Sequence, residues 1–83
     1  MAAAYENRGE ALTKHKNFDA GIADLNTFLK LKPESGEGYM KRSAAFFEMK
    51  EYKNALSDAN QAQSLGFAVD ADYLQGLKNL TKQ

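Results

Sequence analysis

His15 is the only imidazole in the chain and the first candidate for proton transfer or metal ligation. A lone imidazole at the end of a helix more simply meets the carbonyls that the last turn leaves unpaired. The carboxylates Asp19, Asp24 and Asp58 fall at surface-like helical spacings and read as solvated. Glu48 and Glu51 interleave with Lys50 and Lys53 as a charged turn. Covalent catalysis needs a nucleophile, a base and an orienting group at a meaningful spacing, and none can be assembled. Gly36 and Gly38 flank Glu37 but follow no strand, so they suggest a flexible helix entrance rather than a phosphate loop. There is no cysteine, which removes disulfides and thiolate metal sites. The expectation is a non-enzyme with no metal or cofactor.

The informative pattern is longer than any of these motifs. Tyr5, Tyr39 and Tyr73 are each 34 residues apart, and their surroundings recur with them. Arg8 returns as Arg42, Ala11 as Ala45, and Leu12 as Phe46 and then Leu80. Phe18 returns as Tyr52, Ile22 as Leu56, Asp24 as Asp58, Asn26 as Asn60, and Leu31 as Leu65. A fixed period of this length marks a stacked helical array, in which each unit buries its apolar face against its neighbour. Such arrays present surfaces for recognition.

Local signals divide the chain into five helices. The first runs from about Ala2 to His15, with apolar or small positions at Ala4, Tyr5, Gly9 and Leu12. Asn17 is placed to cap a second, Phe18 to Lys32, which Pro33 ends. Ser35 can cap a third that runs to about Lys50. A fourth covers about Tyr52 to Leu65 and stops at Gly66, a natural left-handed terminator. Asp70 can cap a fifth from Ala71 to about Lys82, with Tyr73, Leu77 and Leu80 on its packing face. Short connections make consecutive helices antiparallel neighbours. No segment alternates with period two, so no sheet is expected.

Composition narrows the partners. Eleven basic residues balance eleven acidic ones, leaving no basic stripe to neutralise phosphates and no electrostatic reason to sit on an anionic membrane. No apolar run approaches the roughly 18 residues that a membrane span needs. The start, Met1 to Glu6, lacks the charged-then-apolar pattern of a signal peptide. The compartment stays undetermined, with the cytoplasm as the default expectation.

The repeat length and its residues resemble the tetratricopeptide repeat family. That family's pattern opens on a bulky aromatic, then a bulky residue, a small one and a large apolar one. Tyr5, Arg8, Gly9 and Leu12 fill it in the first repeat, and Tyr39, Arg42, Ser43 and Phe46 in the second. Downstream it wants small, large apolar, small, and a helix-ending proline. The first repeat supplies Gly21, Leu25, Phe28 and Pro33; the second supplies Ala55, Ala59, Ala62 and Phe67. Gly9, Gly21, Ser43 and Ala55 would let the helices of each hairpin approach closely. Phe28 and Phe67 depart from the pattern. Ala44 and Ala45 are expected opposite Phe28, and Phe67 is expected to fold back over the last hairpin.

The resemblance implies an all-α, right-handed helical-repeat solenoid over residues 1–83. Repeat one spans about 2–33, repeat two about 36–67, and a capping helix about 70–82. It also implies a protein-interaction scaffold that binds a peptide or partner protein in a concave groove. Carried over residue by residue, the lining is Glu6, Asn7 and Glu10 from the first helix and Glu37, Met40, Lys41, Ala44 and Phe47 from the third. Leu74 and Lys78 come from the fifth, with Ala3, Thr13, Ala71 and Gln75 beside them. In co-chaperones of the family, asparagine and basic residues clamp a peptide's terminal carboxylate. Asn7 and Lys41 match two clamp positions, but Glu37 stands where another lysine belongs and would repel a carboxylate. Met40, Phe47 and Leu74 instead put apolar area on the groove, suited to an amphipathic ligand. The alternative is a structural element that self-associates through the same apolar face.

Overall fold

The computed structural model describes residues 2–82. Over that range the chain forms five helices: α1 (Ala2–Lys14), α2 (Phe18–Leu31), α3 (Gly36–Glu48), α4 (Tyr52–Ser64) and α5 (Ala71–Thr81). There is no strand among the described residues. The helices α1 and α2 pack as one hairpin, α3 and α4 as a second, and α5 lies against α4. The stack measures 38 × 27 × 17 Å, its thin dimension matching two layers of helix about 10 Å across.

The turns within both hairpins are built alike, by a device the sequence does not advertise. Lys16 (φ 66°) and Lys50 (φ 63°), one repeat apart, both take the left-handed conformation that usually falls to glycine. Around Lys16, the Asn17 N–H donates to the Leu12 carbonyl at 2.8 Å and the Lys16 N–H to Thr13 at 2.9 Å. Around Lys50, the Glu51 N–H donates to Phe46 at 2.8 Å and the Lys50 N–H to Phe47 at 3.0 Å. This paired pattern closes a helix C-terminus by satisfying its last carbonyls. It recurs at Gly66 (φ 93°), where Phe67 N–H donates to Ala62 and Gly66 N–H to Gln63.

Helix starts are less regular. Ser35 caps α3 as expected, its Oγ accepting from the Gly38 N–H at 3.0 Å. Asn17 and Asp70 stand at the N-cap positions of α2 and α5, but neither side chain makes a capping hydrogen bond. The backbone around Asn17 is already engaged by the preceding turn, so its side chain is not what starts α2.

Packing across the stack changes sides from one junction to the next. A Cβ built on Gly9 would lie 3.0 Å from the Gly21 carbonyl, and one on Gly21 2.9 Å from the Gly9 carbonyl, so α1 and α2 touch through bare backbone. Between the hairpins, α2 supplies the bulk and α3 the space. A Cβ on Gly38 would meet the Phe28 ring at 2.6 Å and a Leu29 methyl at 3.0 Å. Gly38 therefore receives Phe28. Its role is close packing rather than flexibility, and Ala44 is exposed. Phe67 reaches the start of α3, where a Cβ on Gly36 would meet its own Cβ at 2.8 Å, yet it stays 36% exposed.

At the next junction α4 supplies the space and α5 the bulk. Ala55 and Ala59 are buried with Leu74 and Leu77 in one cluster. This fixes the rotation of α5 and corrects two expectations. Leu74 is core rather than groove lining, and Leu80, expected in the core, is 51% exposed.

Two outcomes check this packing. Gly38→Ala should destabilise the fold by about 1–3 kcal/mol, because the methyl overpacks against an aromatic ring. Adding Phe28→Leu should recover part of that loss in thermal denaturation. Lys50→Gly should raise stability by about 0.5–1 kcal/mol, because it relieves a left-handed non-glycine residue.

Candidate functional site

The charged residues that recur with the repeat meet across each hairpin. Arg8 of α1 donates through Nε to Asp24 Oδ2 at 2.6 Å and through Nη2 to Oδ1 at 2.9 Å. Arg42 of α3 repeats the fork on Asp58, at 2.8 and 2.9 Å. Both aspartates are buried, so the expectation of solvated carboxylates at these positions is wrong. Two parallel N–H···O bonds to a planar guanidinium are the strong, geometrically exacting form of ion pair. Arg42 has a further role, donating through Nη1 to Asn26 Oδ1 of the previous hairpin at 2.8 Å. Its guanidinium also lies over the Tyr39 and Phe46 rings, 5.4 and 5.9 Å from their centroids. Asp19, by contrast, is exposed.

Between α1 and α3 lies a second network. Lys41 Nζ stands 3.3 Å from Glu6 Oε2, 3.1 Å from Glu10 Oε1 and 3.7 Å from Glu37 Oε2. Burial pushes the Lys41 ammonium down, but the hydrogen bond to Glu10 and the charge of Glu6 outweigh it and the pKa rises. Glu10 also takes Lys14 at 3.7 Å. Lys41 is therefore already committed to carboxylates of its own chain.

The same two helices form the walls of a groove. Its middle, about 130 Å³, is lined by Glu10, Thr13, Lys14, Lys41 and Ala44. Thr13, Lys14 and Ala44 continue into a larger cleft of about 440 Å³, floored by Phe18, Phe47 and Tyr73 and edged by Lys16 and Glu48. A third concavity, about 240 Å³, includes Ala3, Glu6, Phe28, Glu34 and Glu37. The aromatic floor is locked in place. Phe47 packs edge-on to Tyr52 and tilted against Tyr73, with both centroid separations 5.6 Å. Ser43 Oγ donates to the Ala55 carbonyl at 2.7 Å, which leaves it to accept from the Tyr73 hydroxyl at 2.9 Å. Burial raises the Tyr73 pKa, so the phenol keeps the proton that this bond uses.

Of the residues expected in the groove, Glu6, Glu10, Glu37, Lys41, Ala44 and Phe47 line these concavities. Asn7 and Lys78 are exposed and Met40 is half-buried, and none of the three lines a concavity described here. Leu74 lies under α5 in the core. Phe18, Lys14, Lys16 and Tyr73 escaped notice as a site, because they converge from α1, the turn after it, α2 and α5 rather than from equivalent repeat positions. Among the described residues no three His, Cys, Asp or Glu side chains are placed to hold a metal ion. None of the described helices is long and apolar enough to cross a membrane.

No protein-family model matches the chain. It is similar to a DnaJ homolog subfamily C member 7 homolog of Schizosaccharomyces pombe, 30% identical over 77 residues. That match spans 88% of this chain and 15% of the relative. Hsp70-Hsp90 organizing protein 2 of Arabidopsis thaliana is 38% identical over 53 residues, 64% of this chain and 9% of its own length. A Drosophila melanogaster relative is named DNA polymerase interacting tetratricopeptide repeat-containing, protein of 47 kDa. It is 35% identical over 66 residues, 75% of this chain and 17% of its own length. The repeat in that name has the period and paired helices seen here.

The chain belongs to the tetratricopeptide repeat family. It spans less than a fifth of the length of these relatives. As a tetratricopeptide repeat array it is, in general terms, a protein–protein interaction module.

The ion pairs make its stability acid-sensitive. The hydrogen bond from Arg8 holds Asp24 below its usual pKa, and the one from Lys41 does the same for Glu10. A group depressed on folding binds protons more readily in the unfolded chain. Its stabilisation is complete above the unfolded value and is lost as the pH falls through the folded one. The melting temperature should therefore drop between about pH 5 and about pH 2. Arg8→Gln should flatten part of that slope, and an unchanged slope would contradict the assignment.

Proposed function

We propose that the array binds an extended segment of a partner protein in the groove between α1 and α3. The supporting observation is continuity: Thr13, Lys14 and Ala44 belong both to the middle of the groove and to the cleft floored by Phe18, Phe47 and Tyr73. A ligand laid along α1 and α3 would pass from polar walls onto a fixed aromatic floor. Such a floor suits an apolar anchor, since buried aromatic contacts dominate most interfaces. Relatives named as organizing proteins for Hsp70 and Hsp90 support a protein partner as ligand.

A clamp for a terminal carboxylate is the weaker reading of the same groove. Lys41, its basic member, is ringed by Glu6, Glu10 and Glu37, and an incoming carboxylate would have to displace one of them. The groove therefore selects internal side chains rather than a chain end.

Peptides selected from a random library on the folded chain test the proposal. Ala44 is exposed at the centre of the groove, so Ala44→Glu should leave the helical circular dichroism unchanged. It should weaken the selected peptides by roughly 1–3 kcal/mol, as loss of a central contact does. Amidating their C-termini should change the affinity little. Peptides indifferent to Ala44→Glu would place the binding surface elsewhere, and peptides lost on amidation would restore the clamp.

A further inference from the structure

The groove is electrically polarised along its length. At the aromatic cleft the charged lining is Lys14, Lys16 and Glu48, two cations against one anion. Among the described residues Lys14 is held only by a long 3.7 Å contact with Glu10, and Lys16 makes no salt bridge. At the opposite concavity the lining carries Glu6, Glu34 and Glu37 against the single cation Lys32. Glu37 is the loosest of the three carboxylates around Lys41, at 3.7 Å and 61% exposed. Between the two ends, Lys41 and Glu10 neutralise each other at 3.1 Å, which leaves the middle with little attraction for either sign.

A ligand lying along the groove therefore meets opposite fields at its two ends, with the apolar floor beside the basic one. Charges at an interface chiefly fix register and exclude the wrong partner, and this arrangement can do both. We infer that the preferred partner segment carries an aromatic or large aliphatic anchor directly beside acidic residues, with basic residues toward its other end. The anchor sits on Phe47 and Tyr73, the acidic residues face Lys14 and Lys16, and the basic residues face Glu34 and Glu37. This rests on the groove reading proposed above and adds the charge order of the ligand. The order is defined relative to the anchor, so it holds whichever way the partner's backbone runs.

The test uses two labelled synthetic peptides of identical composition. In the first, aspartates flank a leucine–phenylalanine anchor and arginines lie at the far end; in the second, the arginines flank the anchor and the aspartates lie far from it. Fluorescence anisotropy on the full chain at about 50 mM salt should favour the first by roughly tenfold. The preference should shrink at about 300 mM salt, where the fields are screened. In the double variant Lys14→Glu with Glu37→Lys the preference should reverse. Should that variant lose helicity, the neutral pair Lys14→Gln with Glu37→Gln must shrink the preference instead, and an unchanged preference would overturn the charge order. Equal binding of both peptides, each still lost in Ala44→Glu, would overturn the charge order and leave the groove reading standing. If neither peptide bound, nor any library peptide, both readings would fall.

Discussion

The guanidinium of Arg42 is the junction on which the array turns. It forks onto Asp58 across its own hairpin, reaches Asn26 of the previous one, and lies over the rings of Tyr39 and Phe46. One planar cation thus relates three helices, α2, α3 and α4. Ion pairs of this kind contribute less to net stability than their geometry suggests, because desolvation offsets much of the Coulomb gain. What they supply is register: the seating of α3 brings Arg42 to Asp58 and Asn26 together. Arg8 forks onto Asp24 within its own hairpin and lies over the Tyr5 ring at 5.8 Å, with no bond to another hairpin among the described residues. The equivalent position in α5 is Gly76, which has no side chain to link it. The closing helix is held instead by Leu74 and Leu77 in the alanine trough of α4 and by the bond from Tyr73 to Ser43.

That arrangement separates the parts that hold the fold from the parts free to bind. The hairpins are fixed by buried residues, and the groove walls are built from side chains left over on α1 and α3, with Phe18 of α2 and Tyr73 of α5 in the floor. Lys41 is an informative exception. It lines the groove, yet it joins Glu6 and Glu10 of α1 to its own helix α3 and so braces the two walls. A side chain already spent on the wall is poorly available to a ligand. The chemistry of the groove therefore shifts toward its ends and its aromatic floor.

Much of this was legible in the sequence, for identifiable reasons. A 34-residue period constrains many positions at once, so the helices and their pairing followed from it. Ser35 and Gly66 were legible because their roles are local. The missed features depend on contacts distant in the chain. Asp24 and Asp58 each sit 16 residues from their arginine, and helical spacing alone cannot distinguish a paired carboxylate from a solvated one. Their shared recurrence with Arg8 and Arg42 was the available signal. The rotation of α5 was missed because Leu74, Leu77 and Leu80 are all apolar. Only the small side chains of α4 decide that Leu74 turns inward and Leu80 outward. Lys16 and Lys50 carry no compositional mark of a left-handed residue.

The proposed surface for a partner is the groove between α1 and α3, ending at the Tyr73 cleft, and not the outer helices. Amide chemical-shift mapping of the folded chain, titrated with a library-selected peptide, addresses it most directly. The largest shifts should fall at Thr13, Lys14, Ala44, Phe47 and Tyr73, with Leu31, Leu65 and Leu80 unmoved. Shifts concentrated at those exposed leucines, with the groove silent, would contradict it.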